Sequence, residues 1–149
     1  MALEKRISEL TAKSGIIEDT DLLVISDYNG ATYDTKKVTG AQLKPYKNYL
    51  ANITQVTTGD PNINASYSDL SGNLTFTRNA TGTYYITNSV AEFTAFKTLV
   101  FHTSGLTPFV RFQYQVSSTT LIILYTYNSS DVLTDGLLNA SSLEIKIIK

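Results

Sequence analysis

The density of charged side chains falls abruptly near residue 50, and this change limits what the chain can fold into. Residues 1–50 carry more than half of the acidic and basic residues, whereas residues 51–149 are twice as long and carry fewer. Thr, Ser, Asn and Tyr replace them around short β-branched and aromatic runs, a composition typical of half-buried strands and turns. We therefore predict a small charged segment over residues 1–50, followed by a polar-neutral β domain over residues 51–149.

Length and composition argue against several classes of protein. The 149 residues suit one compact domain with an appendage, and the 42% hydrophobic residues can form its core. A net charge of −1 lacks the basic character of a nucleic-acid binder, and without cysteine there is no disulfide, thiolate metal site or thiol nucleophile. Charges near the start argue against a signal peptide, and the longest apolar stretch is far below the ~18 residues that span a bilayer. We expect a protein made in the cytoplasm, with neither nucleic acid nor membrane as a partner.

The beginning of the N-terminal segment allows two local structures. Leu3, Ile7 and Leu10 recur at the spacing of one helical face, which favours a short amphipathic helix around residues 2–12. Residues 7–10 also fit a short extended arm. A helix this short is marginal by itself, so either structure needs a surface to pack against.

The rest of the N-terminal segment predicts a small α+β unit. Asp21 with the apolar run Leu22-Leu23-Val24-Ile25 indicates a short buried strand, and a second strand is expected over residues 32–38. Asn29-Gly30 lies between them and favours a tight hairpin turn, because both central residues of such a turn need positive φ. Thr39 is predicted to cap a helix over residues 40–49, which a proline limits or kinks.

Several strings of residues in this segment resemble the N-terminal attachment module of fibre and appendage proteins of tailed bacteriophages. They are Ile7-Ser8-Glu9-Leu10, then Asp21-Leu22-Leu23-Val24-Ile25-Ser26-Asp27, then Thr35-Lys36-Lys37-Val38-Thr39 with Gln42-Leu43. Near the other end, Leu133-Thr134-Asp135-Gly136-Leu137-Leu138 followed by Ser142-Leu143-Glu144-Ile145-Lys146-Ile147 is similar to the C-terminal hairpin of small β domains in such appendages, including head fibres of crAss-like phages.

The resemblance implies that the N-terminal segment anchors the protein and that the distal domain is displayed. It implies a homotrimer located in the virion, in contact with capsid or other virion proteins. The residues expected to carry the attachment are the apolar and basic positions of the matching strings, namely Ile7, Leu10, Leu22, Leu23, Val24, Ile25, Lys36, Lys37, Val38 and Leu43.

The distal domain is predicted to be mainly β. Its runs of strand-forming residues are separated by turn residues and lie at 74–78, 83–87, 97–103, 110–116, 121–127 and 143–147, with a single helical turn over 91–96. With the segment near Ile53, about seven strands at this spacing indicate an antiparallel β-sandwich or jelly roll.

Alternation of side chains predicts how these strands lie in the sandwich. Val110, Phe112, Tyr114 and Val116 should face the core, with Arg111, Gln113 and Gln115 facing solvent. Residues 121–127 are apolar on both faces, which favours a central strand. Leu143, Ile145 and Ile147 alternate with charged residues and predict another half-buried strand.

Residue types that carry chemistry are sparse in the distal domain. His102 is the single histidine and lies within a predicted strand without a nucleophile or carboxylate close to it in sequence, so we expect a structural or surface role. Asp131 and Asp135 lack the pattern of a Ca²⁺ loop and are interpreted as turn residues. No glycine-rich phosphate loop occurs either. These observations together predict no catalytic residue, metal or cofactor. The least favoured hypothesis is a glycan hydrolase that uses a pair of carboxylates, which loss of activity on substitution of Glu92 or Asp131 would support.

Tyrosines form the remaining candidate surface. Tyr84-Tyr85 and Tyr125-x-Tyr127 place rings on both faces of their strands, so some must lie outside the core. Exposed tyrosines serve oligomer interfaces or stack on sugar rings, and we favour the interface. The sequence therefore predicts a non-enzymatic bacteriophage structural protein, a short trimeric fibre or head-decoration subunit. The alternative is a carbohydrate-binding receptor-recognition module whose partners are host surface glycans.

Overall fold

The computed structural model describes residues 20–28, 30–105 and 111–149, with two compact units at Met1–Lys44 and Pro45–Lys149. The predicted helix or arm near residues 2–12 lies outside the described residues. The boundary between the units falls earlier than residue 50, because a strand of the second unit begins at Tyr46.

The described part of the N-terminal unit, residues 20–28 and 30–44, contains one hairpin and one helical turn. Strands β1 (Leu22–Tyr28) and β2 (Tyr33–Thr39) pair antiparallel, with Leu23 opposite Val38. Tyr28 pairs with Tyr33, so the connection is longer than the two-residue turn predicted at Asn29-Gly30. Asn29 lies outside the described residues, whereas Gly30 adopts a φ of 95°, a value that glycine tolerates best.

Helix α1 (Gly40–Leu43) is much shorter than the helix predicted over residues 40–49. The predicted cap is confirmed, since Thr39 Oγ1 accepts from Gln42 N and Gln42 Oε1 accepts from Thr39 N at 2.8 Å. The prediction was wrong beyond Leu43. Lys44 precedes proline and is extended, because the proline ring disfavours helical geometry in the residue before it.

The second unit is an antiparallel β-sandwich, which confirms the predicted mainly β fold class. Its eight strands are β3 (Tyr46–Thr54), β4 (Asn62–Ser68), β5 (Leu74–Ala80), β6 (Thr83–Asn88), β7 (Thr98–Ser104), β8 (Arg111–Ser118), β9 (Leu121–Tyr127) and β10 (Ser141–Ile148). Sheet I has the order β4-β3-β10-β7, and sheet II has the order β5-β6-β9-β8.

The core lies between the two sheets and follows the alternation of the strands. Leu143, Ile145 and Ile147 of β10 are buried, as the sequence predicts, and β9 occupies the predicted central position in sheet II. Tyr49 of β3 stacks on Phe76 of β5 across the interior, with ring centroids 6.0 Å apart. Other members of the core are Ala51, Ile53, Tyr84, Ile86, Phe93, Ile122, Leu124 and Leu138.

Strand β8 is less buried than its alternation predicts. Phe112 and Val116 pack against the core and Gln113 is exposed, but Tyr114 is also exposed, and Val110 lies outside the described residues. The difference arises because β8 is an edge strand of sheet II, where the opposing sheet covers the inward face only in part.

The helical turn predicted over residues 91–96 is not formed. Glu92 N and Phe93 N both donate to Thr119 O, at 2.9 and 2.8 Å, which ties this segment to the β8–β9 turn. The tie buries Phe93 completely and leaves residues 92–94 irregular, whereas residues 95–97 form a hydrogen-bonded turn. Burial of one aromatic ring against the sandwich thus outweighs local helix propensity, which is a weak preference.

Candidate functional site

Eight of the ten residues predicted to attach the protein lie in the β1–β2 hairpin or next to it. Leu22, Val24 and Ile25 are 61%, 56% and 41% exposed, and Leu43 in α1 is exposed as well. The prediction of a buried strand over residues 21–25 was wrong, because β1 lies in a sheet of two strands that no second sheet of described residues covers. Leu23 and Val38 lie opposite each other and are half-buried. Ile7 and Leu10, the other two predicted positions, lie outside the described residues.

Basic residues stand directly opposite the exposed apolar residues of the hairpin. Val24 pairs with Lys37 on one face, and Ile25 pairs with Lys36 on the other, because successive strand residues point to opposite faces. Gly40 is the one buried residue among those of this unit whose burial the structure describes, which leaves out Ser26, Asp27 and Tyr33. The hairpin thus presents apolar surface on both faces, each bordered by positive charge, which suits contact with another polypeptide surface.

The four tyrosines predicted to form an oligomer or glycan surface do not lie together. Tyr84 was wrongly assigned to the surface, since it points into the core and is 0% exposed. Tyr85, Tyr125 and Tyr127 lie on the outward face of sheet II and are half-buried there. Arg111 stacks over the Tyr127 ring at 4.0 Å, so part of this aromatic surface is covered by a cation.

Tyr84 is buried because its hydroxyl joins a polar network at one end of the sandwich. The hydroxyl oxygen lies 2.8 Å from Gln55 Oε1 and 3.0 Å from Asp135 Oδ1. Arg78 donates twice to the Asp135 carboxylate, at 3.1 and 2.9 Å, and Gly82 N donates once at 2.9 Å. Pairing with Arg78 holds the pKa of Asp135 below its ordinary value. This network fixes the β5–β6 turn to the segment before β10, a structural role.

Glu92, one carboxylate considered for catalysis, is held as an ion. Burial by itself would raise its pKa, but hydrogen bonds from Lys47, Ser71 and Asn88 outweigh this and lower the pKa to about 2. A general acid needs the opposite shift. The other candidate, Asp131, is exposed and pairs with Arg111 Nε at 2.8 Å. Neither environment supports acid catalysis.

His102 lies between the sheets rather than in a catalytic arrangement. Its ring stacks on Phe112 with centroids 3.5 Å apart, and neither ring nitrogen has a hydrogen-bond partner among the described residues. Burial lowers its pKa to about 4. Over residues 20–28, 30–105 and 111–149, no three His, Asp or Glu side chains group to hold a metal ion.

Two surfaces of the sandwich were not found from the sequence. Phe96 is fully exposed at a φ of 68° in the loop before β7, where Lys97 N and Thr98 N both donate to Thr94 O. The other is the outward face of sheet I, where Leu50, Tyr67 and Phe101 are exposed. The outward positions of Leu50, Tyr67 and Phe101 could have been predicted from strand alternation. Phe96 lies in a loop, where no periodic pattern predicts which side chains are exposed.

Comparison with known proteins gives no relative for this chain. No protein-family model, no curated protein and no solved structure matches it at a significant level. In the part of the chain that the structure describes, no helix is long and apolar enough to cross a membrane.

Proposed function

We propose that this chain is a non-enzymatic structural protein of a bacteriophage virion, a short trimeric fibre or head-decoration subunit. In this proposal the N-terminal unit binds capsid or other virion proteins, and the sandwich is displayed outward. The resemblance of residues 7–43 to attachment modules of phage appendages supports the assignment. Trimerisation follows from the same resemblance.

The observation that carries the proposal is the exposed apolar surface of the β1–β2 hairpin. A two-stranded hairpin is marginally stable in water unless a further strand or layer covers it. Leu22, Val24 and Ile25 are exposed on its two faces, whereas most of the buried core of the sandwich consists of leucine, isoleucine and aromatic side chains. A surface of another virion protein would supply the missing layer and gain affinity from these side chains.

The sandwich supports the display role by its independence. Its eight strands enclose one core and use no cysteine, so the fold does not depend on an oxidising compartment.

The loop that exposes Phe96 leads into β7, and Lys97 O accepts from Ile148 N near the chain entry at Pro45. An exposed aromatic ring at this end suits a contact with a neighbouring subunit in the assembly.

The proposal is tested by replacing the exposed apolar residues without disrupting the hairpin. Val24→Asp and Ile25→Asp, combined in the full chain, place carboxylates opposite Lys37 and Lys36, so strand pairing is retained while apolar surface is lost. We expect this double variant to remain folded but to lose co-sedimentation with phage particles that lack the endogenous protein.

Thr35→Asp is the matched control, since it adds one carboxylate at an exposed position of β2 and removes no apolar surface. It should bind particles as the unchanged protein does. Normal binding of the double variant would contradict the attachment role of the hairpin. Sedimentation equilibrium of the unchanged protein should give a trimer.

A further inference from the structure

The outward face of sheet I carries an open groove of about 490 Å³. Two adjacent rows of side chains run across all four strands and line it. One row is large and consists of Tyr67, Leu50, Glu144 and Phe101, in strand order. The next outward row is small and polar and consists of Ala65, Asn52, Ser142 and Thr103. The groove forms because short side chains follow tall ones along each strand.

Aromatic rings stand at the two ends of the large row. Tyr67 on β4 is 52% exposed and Phe101 on β7 is 50% exposed. These are the edge strands of sheet I, so three strand spacings, about 14 Å, separate their backbones. Lys146 Nζ lies over one face of the Phe101 ring, 5.6 Å from its centroid, which leaves the other face to the groove.

Hydrogen-bonding groups lie between the two rings. Asn52 Oδ1 accepts from Ser142 Oγ at 3.0 Å, which orients the amide group within the groove. Glu144 is the only charged residue among those that line it, and Lys146 neutralises it at 3.1 Å. The groove is therefore close to neutral, with aromatic rings at its ends and both polar groups and the apolar Leu50 along its middle.

We propose that this groove binds a neutral oligosaccharide. A sugar ring has an apolar C–H face that packs on an aromatic ring and a rim of hydroxyls that bond to amide, hydroxyl and carboxylate groups. An anionic glycan is disfavoured because no unpaired cation lines the groove. The inference goes beyond the virion role and does not depend on it, since a free-standing protein would carry the same groove.

A second copy of the chain is a poorer occupant of this face. Cores of protein interfaces are depleted of charged residues, and a self-packed sheet I would bury the Glu144–Lys146 pair at its centre. Desolvating an ion pair in this way costs more than its attraction returns unless further hydrogen bonds are formed. A sugar leaves the edges of the groove open to water and avoids that cost.

The test uses the full-length protein and nuclear magnetic resonance titration with maltopentaose, cellopentaose, mannopentaose and chitopentaose, together with a sialylated pentasaccharide. We expect at least one neutral oligosaccharide to bind and to shift the resonances of residues in β3, β4 and β10 that line the groove. Tyr67→Ala and Phe101→Ala should each raise its Kd about 3- to 10-fold.

Tyr125→Ala on the outward face of sheet II is the matched control and should leave the Kd unchanged. The proposal is overturned if none of the neutral probes binds at millimolar concentration, or if only the sialylated probe binds. It is also overturned if Tyr125→Ala abolishes binding while Tyr67→Ala and Phe101→Ala do not. Dissociation of an oligomer by Tyr67→Ala in sedimentation would likewise overturn it, because sheet I would then be a self-interface.

Discussion

The hairpin unit and the sandwich use the same kinds of apolar residue in opposite ways. In the sandwich, Ile145 and Leu143 of β10 lie between two sheets and are almost completely buried. In the hairpin, Val24 and Leu22 lie in a strand of similar length and remain more than half exposed. The difference is the second layer, which sheet II supplies for β10 and which no described residue of the N-terminal unit supplies for β1.

The change in charge density near residue 50 therefore also separates a unit whose apolar residues are exposed from a domain whose apolar residues form its own core. Apolar residues in the sandwich contribute to its own stability, at about 25 cal/mol for each Å² buried. Those of the hairpin contribute little until another surface covers them. In the proposed function, this exposed apolar surface binds the virion.

The largest effect should follow from a charge in the sandwich core. Ile145→Asp places an unpaired carboxylate at a position that is 0% exposed, and we expect it to unfold the domain, a loss of about 4 kcal/mol or more. Urea denaturation followed by circular dichroism measures this. Ile148→Asp in the same strand is the control and should change the free energy of unfolding by less than about 1 kcal/mol, because Ile148 is exposed. Equal losses would mean that both faces of β10 are buried.

An intermediate effect is expected at the polar network of the sandwich. Asp135→Ala removes the acceptor of the buried Gly82 N–H, which should cost about 1–3 kcal/mol in urea denaturation. Asp131→Ala breaks an exposed pair with Arg111 and should cost less than about 0.5 kcal/mol. If the two variants were equally stable, the network would not hold the β5–β6 turn in place.

A smaller effect should appear as pH dependence through His102. Its pKa is about 4 in the folded state and 6.5 in the unfolded chain, so between about pH 6.5 and pH 4 the unfolded state binds more proton than the folded state. Stability should therefore fall as the pH drops from 6.5 towards 4, by about 1 kcal/mol at pH 5, since the ring is only partly buried. His102→Phe should retain the stack on Phe112 and flatten the urea midpoint between pH 7 and pH 5. An unchanged slope in that variant would place the titrating group elsewhere.

The smallest effect on stability should come from removing the whole N-terminal unit. A protein of residues 45–149 retains all eight strands and should melt within about 2 °C of the full chain, since its core is complete. A protein of residues 51–149 loses half of β3, which pairs with both β4 and β10, and should melt much lower. Differential scanning calorimetry measures the melting temperatures of both proteins and so locates the boundary between the units.

The sequence was informative where side chains repeat with a short period. A run that is apolar on both faces located β9, alternation located β10, and Thr39 marked a helix start that the structure confirms. Burial could not be read for Tyr84, because strand alternation identifies two faces without saying which one meets the other sheet. Only the tertiary contacts of Gln55 and Asp135 decide that question.

Features that depend on distant residues could not be predicted. The groove on sheet I requires the register of four strands, in which Tyr67 and Phe101 are far apart in sequence and share one row. The loop of Phe96 is shaped by bonds from Glu92 and Phe93 to Thr119, which local pattern cannot show. The helix expected to continue to Tyr49 became strand β3, since pairing with β10 overrides local propensity.

Particle occupancy of a protein lacking residues 1–44 tests the division between anchor and displayed domain most directly. Residues 45–149 and the full chain would be supplied separately to phage particles that lack the endogenous protein, and bound copies per particle would be quantified by immunoblot. We expect the full chain to reach normal occupancy, and the truncated protein to be soluble and folded but absent from particles. Normal occupancy by the truncated protein would show that the sandwich itself is the attachment domain.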